Sequence, residues 1–302
     1  MRVLLTGGAG FMGSAVARQL LEEGHAVTVL DALTYAGSRA HLSGVNVDFV
    51  EGDVCDASRV AARVAAVDLV VHMAAETHVE RSLQDAAPFV RTNVEGARVV
   101  LDACRHASVR LIHVSTDEVF GAAAPDVAFQ EEDPHAPGNP YAVTKSAAEG
   151  LIRVWERCYG YSASIVRCVN NYGARQHEEK AVAGWVRRAV LGHPLNVHGA
   201  GGAVRDWLHV EDFARGMGRV VAYNGPRKVF HLAAQCHRTN LEMATRIAEL
   251  SGGAAVRCVE DRPGQDARYA LDDAATRVDI GWQPQVSLDD GLRRLIVEAR
   301  LR

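Results

Sequence analysis

The first thirteen residues constrain this chain most. Arg2-Val-Leu-Leu-Thr6 is a short apolar strand, Gly7-Gly-Ala-Gly10-Phe-Met-Gly13 follows at once, and Val16, Leu20 and Leu21 then recur at helical spacing. A strand that breaks through glycines straight into a helix is the context that gives a glycine fingerprint its meaning. The glycines permit the turn and let the backbone approach a pyrophosphate. The helix N-terminus adds free N–H groups and the positive end of its dipole. The spacing is G-x-x-G-x-x-G rather than G-x-G-x-x-G. In this context it predicts a dinucleotide cradle made of Gly7, Gly10, Phe11, Met12 and Gly13, at the start of a parallel sheet.

The alternation continues downstream. Ala26–Leu30 reads as a second strand ending in Asp31, about 20 residues past the fingerprint, where an acid suits the ribose hydroxyls of NAD and repels the extra phosphate of NADP. The alternative for Asp31 is a solvated loop acid. Val47–Val50 is a third strand, and Asp53 after it is placed to accept from an adenine amino group, next to Val54. Asp68–His72 is a fourth strand, and the small residues Ala74 and Ala75, with Thr77, let the following loop pass close to a pyrophosphate. Residues 86–107 and 143–158 read as helices with apolar stripes, Val90, Val94, Val99, Leu101 and Ala103 in one and Ala147, Leu151, Ile152 and Val154 in the other. Both stripes suit a core or a helix-pairing face. Leu111–Ser115 and Ser162–Arg167 supply the fifth and sixth strands. The fold expected is α/β, a Rossmann-type doubly wound parallel sheet with a smaller C-terminal substrate-binding lobe.

After Asn170-Asn171-Tyr172-Gly173 the pattern loosens. A helix over 182–191, a glycine turn at 198–202, a strand at Val229–Leu232 and helices over 239–251 and 287–300 remain. Residues 1–170 are read as the NAD-binding domain carrying the catalytic residues. Residues 171–302 are read mainly as the substrate lobe, with a strand and a helix free to return to the first domain. The cleft belongs between them.

The chemistry concentrates where the fifth strand ends. In open α/β sheets ligands sit outside the carboxyl ends of the strands, and there Ser115 is followed by Thr116, Asp117 and Glu118. Tyr141-Ala-Val-Thr-Lys145 then begins a helix, and a spacing of four puts phenol and ammonium on one face. A lysine beside a tyrosine favours the phenolate, which makes Tyr141 a candidate base near neutral pH. The alternative for Asp117 and Glu118 is a helix cap or surface acids.

Composition narrows the rest. The chain has 302 residues, 48% hydrophobic and 23% charged, with a formal net charge of −4. These values are ordinary for a soluble globular protein and give no nucleic-acid footprint. No apolar run approaches the roughly 20 residues that cross a bilayer, and the N-terminus lacks a signal peptide's apolar region. A cytoplasmic location is expected. The six cysteines, Cys55, Cys104, Cys158, Cys168, Cys236 and Cys258, show no C-x-x-C spacing, so reduced and mostly buried thiols are expected. The thirteen histidines form no H-x-x-x-H pair, and no metal site is expected.

The chain resembles the extended short-chain dehydrogenase/reductase family over nearly its full length, and within it the sugar-nucleotide dehydratases. The general marks are the glycine turn, Asp31, Asp53 and Tyr141-x-x-x-Lys145. More specific ones are Leu33-Thr34-Tyr-Ala-Gly37, Ala74-Ala-Glu-Thr-His-Val-Glu-Arg-Ser82, Ser115-Thr-Asp-Glu-Val-Phe-Gly121, Arg167-Cys-Val-Asn-Asn-Tyr-Gly173, Arg205-Asp-Trp-Leu-His-Val-Glu-Asp212 and Asp261-Arg-Pro-Gly-Gln-Asp-Ala-Arg-Tyr269. The Asp117-Glu118 pair is the mark that separates dehydratases from related epimerases and decarboxylases. Departures are Thr77 and Glu80 for a usual serine and aspartate, Phe120 for tyrosine, Gln265 for histidine, and no proline after Lys180.

The resemblance implies NAD as cofactor and a nucleotide-activated hexose as substrate, dTDP-glucose first. C4 is oxidised, water is eliminated across C5 and C6, and C6 is then reduced. It implies Tyr141 with Lys145 as base at the 4-hydroxyl, Thr116 bridging that hydroxyl and the tyrosine, Glu118 as base at C5 and Asp117 as acid at the C6 hydroxyl. Leu33, Thr34 and Asn93 join the cofactor set, with Tyr141 and Lys145 serving it too. Glu76, Asn171, Lys180, Arg205, Asn240, Arg268 and Tyr269 form the substrate set, with Arg205 and Arg268 near the diphosphate, where arginine forks suit phosphate oxygens. A homodimer through a helix bundle is expected, with no nucleic-acid or membrane partner. The competing readings are a 4-epimerase or decarboxylase of the same fold, and a non-catalytic NAD-binding regulator.

Overall fold

The computed structural model describes residues 1–261 and 264–301. Arg262 and Pro263, inside the Asp261–Tyr269 motif, lie outside the described residues.

Seven strands form one wholly parallel sheet. They are β1 (Arg2–Thr6), β2 (Ala26–Asp31), β3 (Asp48–Glu51), β4 (Leu69–His72), β5 (Arg110–Thr116), β6 (Ser164–Cys168) and, later in the chain, Val229–Leu232. The sheet order is Val229–Leu232, β6, β5, β4, β1, β2, β3. All of β4 and β6 is buried, as their near-continuous apolar runs require in a sheet covered on both faces. The order reverses between β1 and β4, so the crevice for a ligand opens above those two strands.

Helix α1 (Phe11–Glu22) covers one face, and α2 (Ala57–Val64) the other. Short helices α3 (Val79–Gln84) and α4 (Ala87–Phe89) lead into a π-helical stretch, Val90–Gly96, and then α5 (Ala97–Ala107). The single helix expected over 86–107 is thus three pieces. The wider π turn carries Asn93 inward, where it is 1% exposed. Helix α6 (Pro140–Tyr159) is capped by Asn139, whose side chain accepts from Ala142 N–H, with proline at its first position. On α6 the apolar residues split between two faces. Ile152 is buried, whereas Val143, Ala147, Gly150 and Val154 form an exposed row. Val90 is exposed as well.

Beyond β6 come β7 (Asn170–Tyr172), α7 (Ala181–Val190), β8 (Leu195–His198), β9 (Val204–His209) and α8 (Val210–Ala222). Then follow β10 (Val229–Leu232, the sheet's edge strand), β11 (His237–Thr239), α9 (Asn240–Ser251), β12 (Val256–Val259), α10 (Ala274–Ile280) and α11 (Leu288–Leu301). Helix α8 was not read from the sequence. Its Val210, Phe213, Ala214, Met217, Val220 and Val221 are buried in the same core as α1 and Val29. Two small sheets, β11-β9-β7 and β12-β8, pack with α7, α9 and α11 around Tyr172, Trp185, Trp207, Met243, Ile247 and Leu292.

All six cysteines are free, but only Cys104 and Cys168 are buried, while Cys158 and Cys258 are exposed. Among the described residues, no helix is long and apolar enough to cross a membrane.

Candidate active site

A long cleft crosses the carboxyl ends of β1, β2, β4 and β5. At one end it is lined by Gly7, Gly10, Phe11, Met12, Gly13, Asp31, Thr34, Asp53, Val54, Ala74, Ala75 and Thr77. Two glycines there have no substitute. Gly7 has φ +70° and a Cβ on it would lie 2.7 Å from Ala74 N, while a Cβ on Gly13 would lie 2.1 Å from Gly7 O. No side chain caps α1, which leaves its first amides to an anion. Asp31 is buried and its carboxylate accepts from Ala9 N at 2.9 Å and Leu33 N at 2.8 Å. It therefore ties the glycine turn to the end of β2 while facing the cleft. Asp53 accepts from Arg91 at 2.7 Å. These groups fit a dinucleotide.

Two residues of the expected cofactor set do not line the cleft. Leu33 is held at φ +50° by its bond to Asp31 and turns away. Asn93 is a strut: it accepts from Glu76 N at 2.8 Å and donates to Glu76 O and Thr144 Oγ1, both at 2.9 Å. It shapes the loop after β4 by holding it to α6.

At the other end the cleft is lined by Ser115, Thr116, Asp117, Glu118, Tyr141 and Lys145. Thr116 Oγ1 donates to Asp117 Oδ1 at 3.1 Å and accepts from Glu118 N at 3.3 Å. Asp117 is 3% exposed and its Oδ2 meets no hydrogen-bond partner among the described residues. Burial, then the charge of Glu118, pushes its pKa up to about 8. Glu118 is also raised by burial, but it accepts from Asn139 Nδ2 at 2.9 Å, and Lys180 and Arg205 favour its charged form. The two carboxyls therefore sit in unequal surroundings, Asp117 Oδ2 without a partner among the described residues and Glu118 held by Asn139.

Tyr141 departs from expectation. Its pKa lies well above the usual phenol value, raised by burial first and then by the charge of Glu118, with Thr116 hydrogen-bonding in the opposite sense. Lys145 does share its helix face, but its ammonium donates to Val114 O at 2.8 Å and lies 3.3 Å from His113 Nε2. Burial lowers Lys145 to about 8. The Val114 carbonyl within β5, not the phenol, accepts from the lysine.

A second recess adjoins the cleft and shares Thr77, Glu118, Asn171 and Lys180 with it. Arg205, Asn240 and Tyr269 line it too. Glu76 stays on the cleft side, its pKa raised by burial. Arg205 lies 4.4 Å above the Tyr269 ring, and Tyr269 donates to Asp266 at 2.8 Å and approaches Glu118 at 3.4 Å. Arg268 is not part of this group. It is half-buried and its guanidinium donates to the carbonyls of Ala124 and Val127. Sequence reasoning missed Asn139, although asparagine before proline at a helix start is a recognisable cap signal. It also missed Glu179, which has no local signature.

Residues 3–233 match the NAD dependent epimerase/dehydratase family. A dTDP-glucose 4,6-dehydratase of Streptomyces niveus is 43% identical over 97% of this chain and 90% of its own length. A low-salt glycan biosynthesis protein of Haloferax volcanii is also 43% identical, over 98% and 97%. The crystal structure of a dTDP-glucose 4,6-dehydratase from Streptomyces venezuelae, with NAD and dTDP bound, superposes with a TM-score of 0.95 at 40% identity, covering 100% of this chain and 97% of that one.

Proposed function

The chain belongs to the NAD dependent epimerase/dehydratase family, and we infer that it is a hydro-lyase of the dTDP-glucose 4,6-dehydratase type. It removes water from a nucleotide-activated hexose and leaves the 4-keto-6-deoxy sugar nucleotide. The observation that carries this reading is the carboxyl pair at the cleft: Asp117 buried, with Oδ2 unpartnered among the described residues and its pKa pushed up by burial, beside Glu118 accepting from Asn139 Nδ2. Elimination needs such an acid and base together. A 4-epimerase uses the tyrosine and lysine but has no role for a protonated carboxyl there.

NAD would be held by Gly7, Gly10, Gly13 and the uncapped start of α1 at its pyrophosphate, and by Asp31 at its ribose. When bound, it supplies the reversible two-electron oxidation that makes the sugar C5 proton acidic. Tyr141 is held as a phenol in this structure; a cationic nicotinamide in the cleft would favour its phenolate, and as phenolate it would take the proton of the 4-hydroxyl. Glu118 takes the C5 proton, Asp117 gives its own to the departing C6 hydroxyl, and Glu118 returns its proton to C5 as C6 is reduced. The cycle leaves a proton on Tyr141 and a deficit on Asp117, and the Thr116 hydroxyl touches both groups. Arg205 and Lys180 are the cations of the substrate recess.

A homodimer belongs to the same reading. The exposed row Val143, Ala147, Gly150 and Val154 on α6, with Val90 exposed nearby in sequence to α5, suits pairing with a second copy. A monomer by light scattering at micromolar concentration contradicts it. A cytoplasmic site accords with the six free thiols.

The test is incubation of the purified protein with dTDP-glucose and, in parallel, UDP-glucose. The expected product is a 4-keto-6-deoxy sugar nucleotide, formed faster from the thymidine substrate. A product of unchanged mass epimeric at C4 would replace the reading with an epimerase.

A further inference from the structure

Three segments that line the cleft are tied together by side chains the chemistry does not use. The segment after β2 carries Tyr35, the segment running from the loop after β4 into α3 carries Arg81, and the loop before α7 carries Glu179. Tyr35 donates its hydroxyl to Glu179 Oε1 at 2.8 Å. Arg81 Nε lies 3.3 Å from Glu179 Oε2, and its guanidinium stacks 3.7 Å over the Tyr35 ring. His177 meets that ring edge-on at 5.5 Å. Lys180, beside Glu179, donates to Thr77 O at 2.8 Å and so joins the last two segments again. Each segment also lines the cleft, the first through Thr34 and Ala36, the second through Glu76 and Thr77, the third through His177, Glu179 and Lys180.

We propose that Tyr35, Arg81 and Glu179 form a latch that retains the dinucleotide, setting how fast it leaves rather than how fast the sugar reacts. The proposal rests on the cofactor reading above. The ties join the rim next to the glycine turn to the rim next to the substrate recess, so parting them would free both rims for an extended ligand to leave. Glu179 is the hub, its side chain only 14% exposed and approached by Tyr35, Arg81, His78 at 3.9 Å and His177 at 3.8 Å. Burial and Glu179 hold the Tyr35 phenol protonated, so it stays a donor across the working pH range. The latch also suits the reaction. The cofactor ends each cycle in the state in which it began, so turnover has no need of its release.

The experiment measures release of NAD from the loaded protein after dilution into a scavenging NAD-consuming dehydrogenase. Tyr35→Phe keeps the ring on Arg81 and removes one hydrogen bond to a carboxylate; release should quicken about tenfold. Glu179→Gln loses the charge that holds Arg81 as well, and release should quicken further. The two substitutions together should add less than the sum of their separate effects, because they break a shared contact. With NAD in excess, kcat of Tyr35→Phe should stay within about twofold of the parent. Release rates equal to the parent's in both variants would overturn the latch alone. A parent protein that binds no dinucleotide would overturn the cofactor reading and the latch with it.

Discussion

Replacing Asp117 by asparagine should make the protein more stable and nearly inactive, and the gain in stability should grow with pH. The native state holds Asp117 protonated up to about pH 8, whereas in the unfolded chain the carboxyl ionises near pH 3.9. Between these values the folded state binds a proton that the unfolded state does not. The wild type therefore loses stability as pH rises, by about 1.4 kcal/mol per unit, levelling off as pH passes the folded value. Asparagine has nothing to titrate. Between about pH 5.5 and about pH 8 the variant's advantage should increase by about 3 kcal/mol, other groups cancelling in the difference. Urea unfolding of both proteins at the two pH values, read by tryptophan fluorescence, gives the quantity directly. An advantage independent of pH would mean that Asp117 is already ionised in the fold, and the assignment of the acid would fall. Activity lost together with stability gained is the pattern of a destabilised group kept for function.

Asn139→Ala removes both the cap of α6 and the donor to Glu118. It should cost about 1 kcal/mol in urea unfolding and move the acid limb of the kcat profile to higher pH, because Glu118 loses a bond that favours its charged form. Gly13→Ala forces a methyl against Gly7 O. It should cost about 1–3 kcal/mol and weaken NAD binding in calorimetry, with the tertiary circular-dichroism signal kept. Glu149→Ala strands Arg167, both side chains being 0% exposed in a 2.7 Å pair. A loss of about 3–5 kcal/mol is expected, and a variant as stable as the parent would show that the pair contributes nothing.

The parts of this molecule that were legible in sequence are those governed by local rules. Buried parallel strands read as apolar runs, and glycines between strand and helix mark a turn that no side chain can enter. The acid pair followed from standing where a strand ends. What escaped depended on partners distant in the chain. A spacing of four placed Tyr141 and Lys145 on one face, but only the fold shows the ammonium drawn to Val114 O. Asn93 has the residue type of a ligand contact, yet the π turn aims it at the backbone of Glu76. Arg268 carries the right charge at the right motif and bonds two loop carbonyls instead. The apolar stripe on α6 merged a buried face with an exposed one because periodicity cannot say which side a neighbour occupies. Helix α8 hid behind Gly216 and Gly218, which lower helix propensity, although Leu232 and Trp282 pack so close to Gly216 that a side chain there would collide.

The division of labour between Asp117 and Glu118 is the central claim, and mass spectrometry of the sugar nucleotide after a single turnover tests it most directly. With NAD-loaded wild type, dTDP-glucose should become lighter by one water. With Asp117→Asn or Glu118→Gln the same reaction should slow by roughly 10²–10⁴-fold, and the sugar should accumulate lighter by two hydrogens only, oxidised at C4 and not dehydrated. Loss of water at the wild-type rate in both variants would contradict the account.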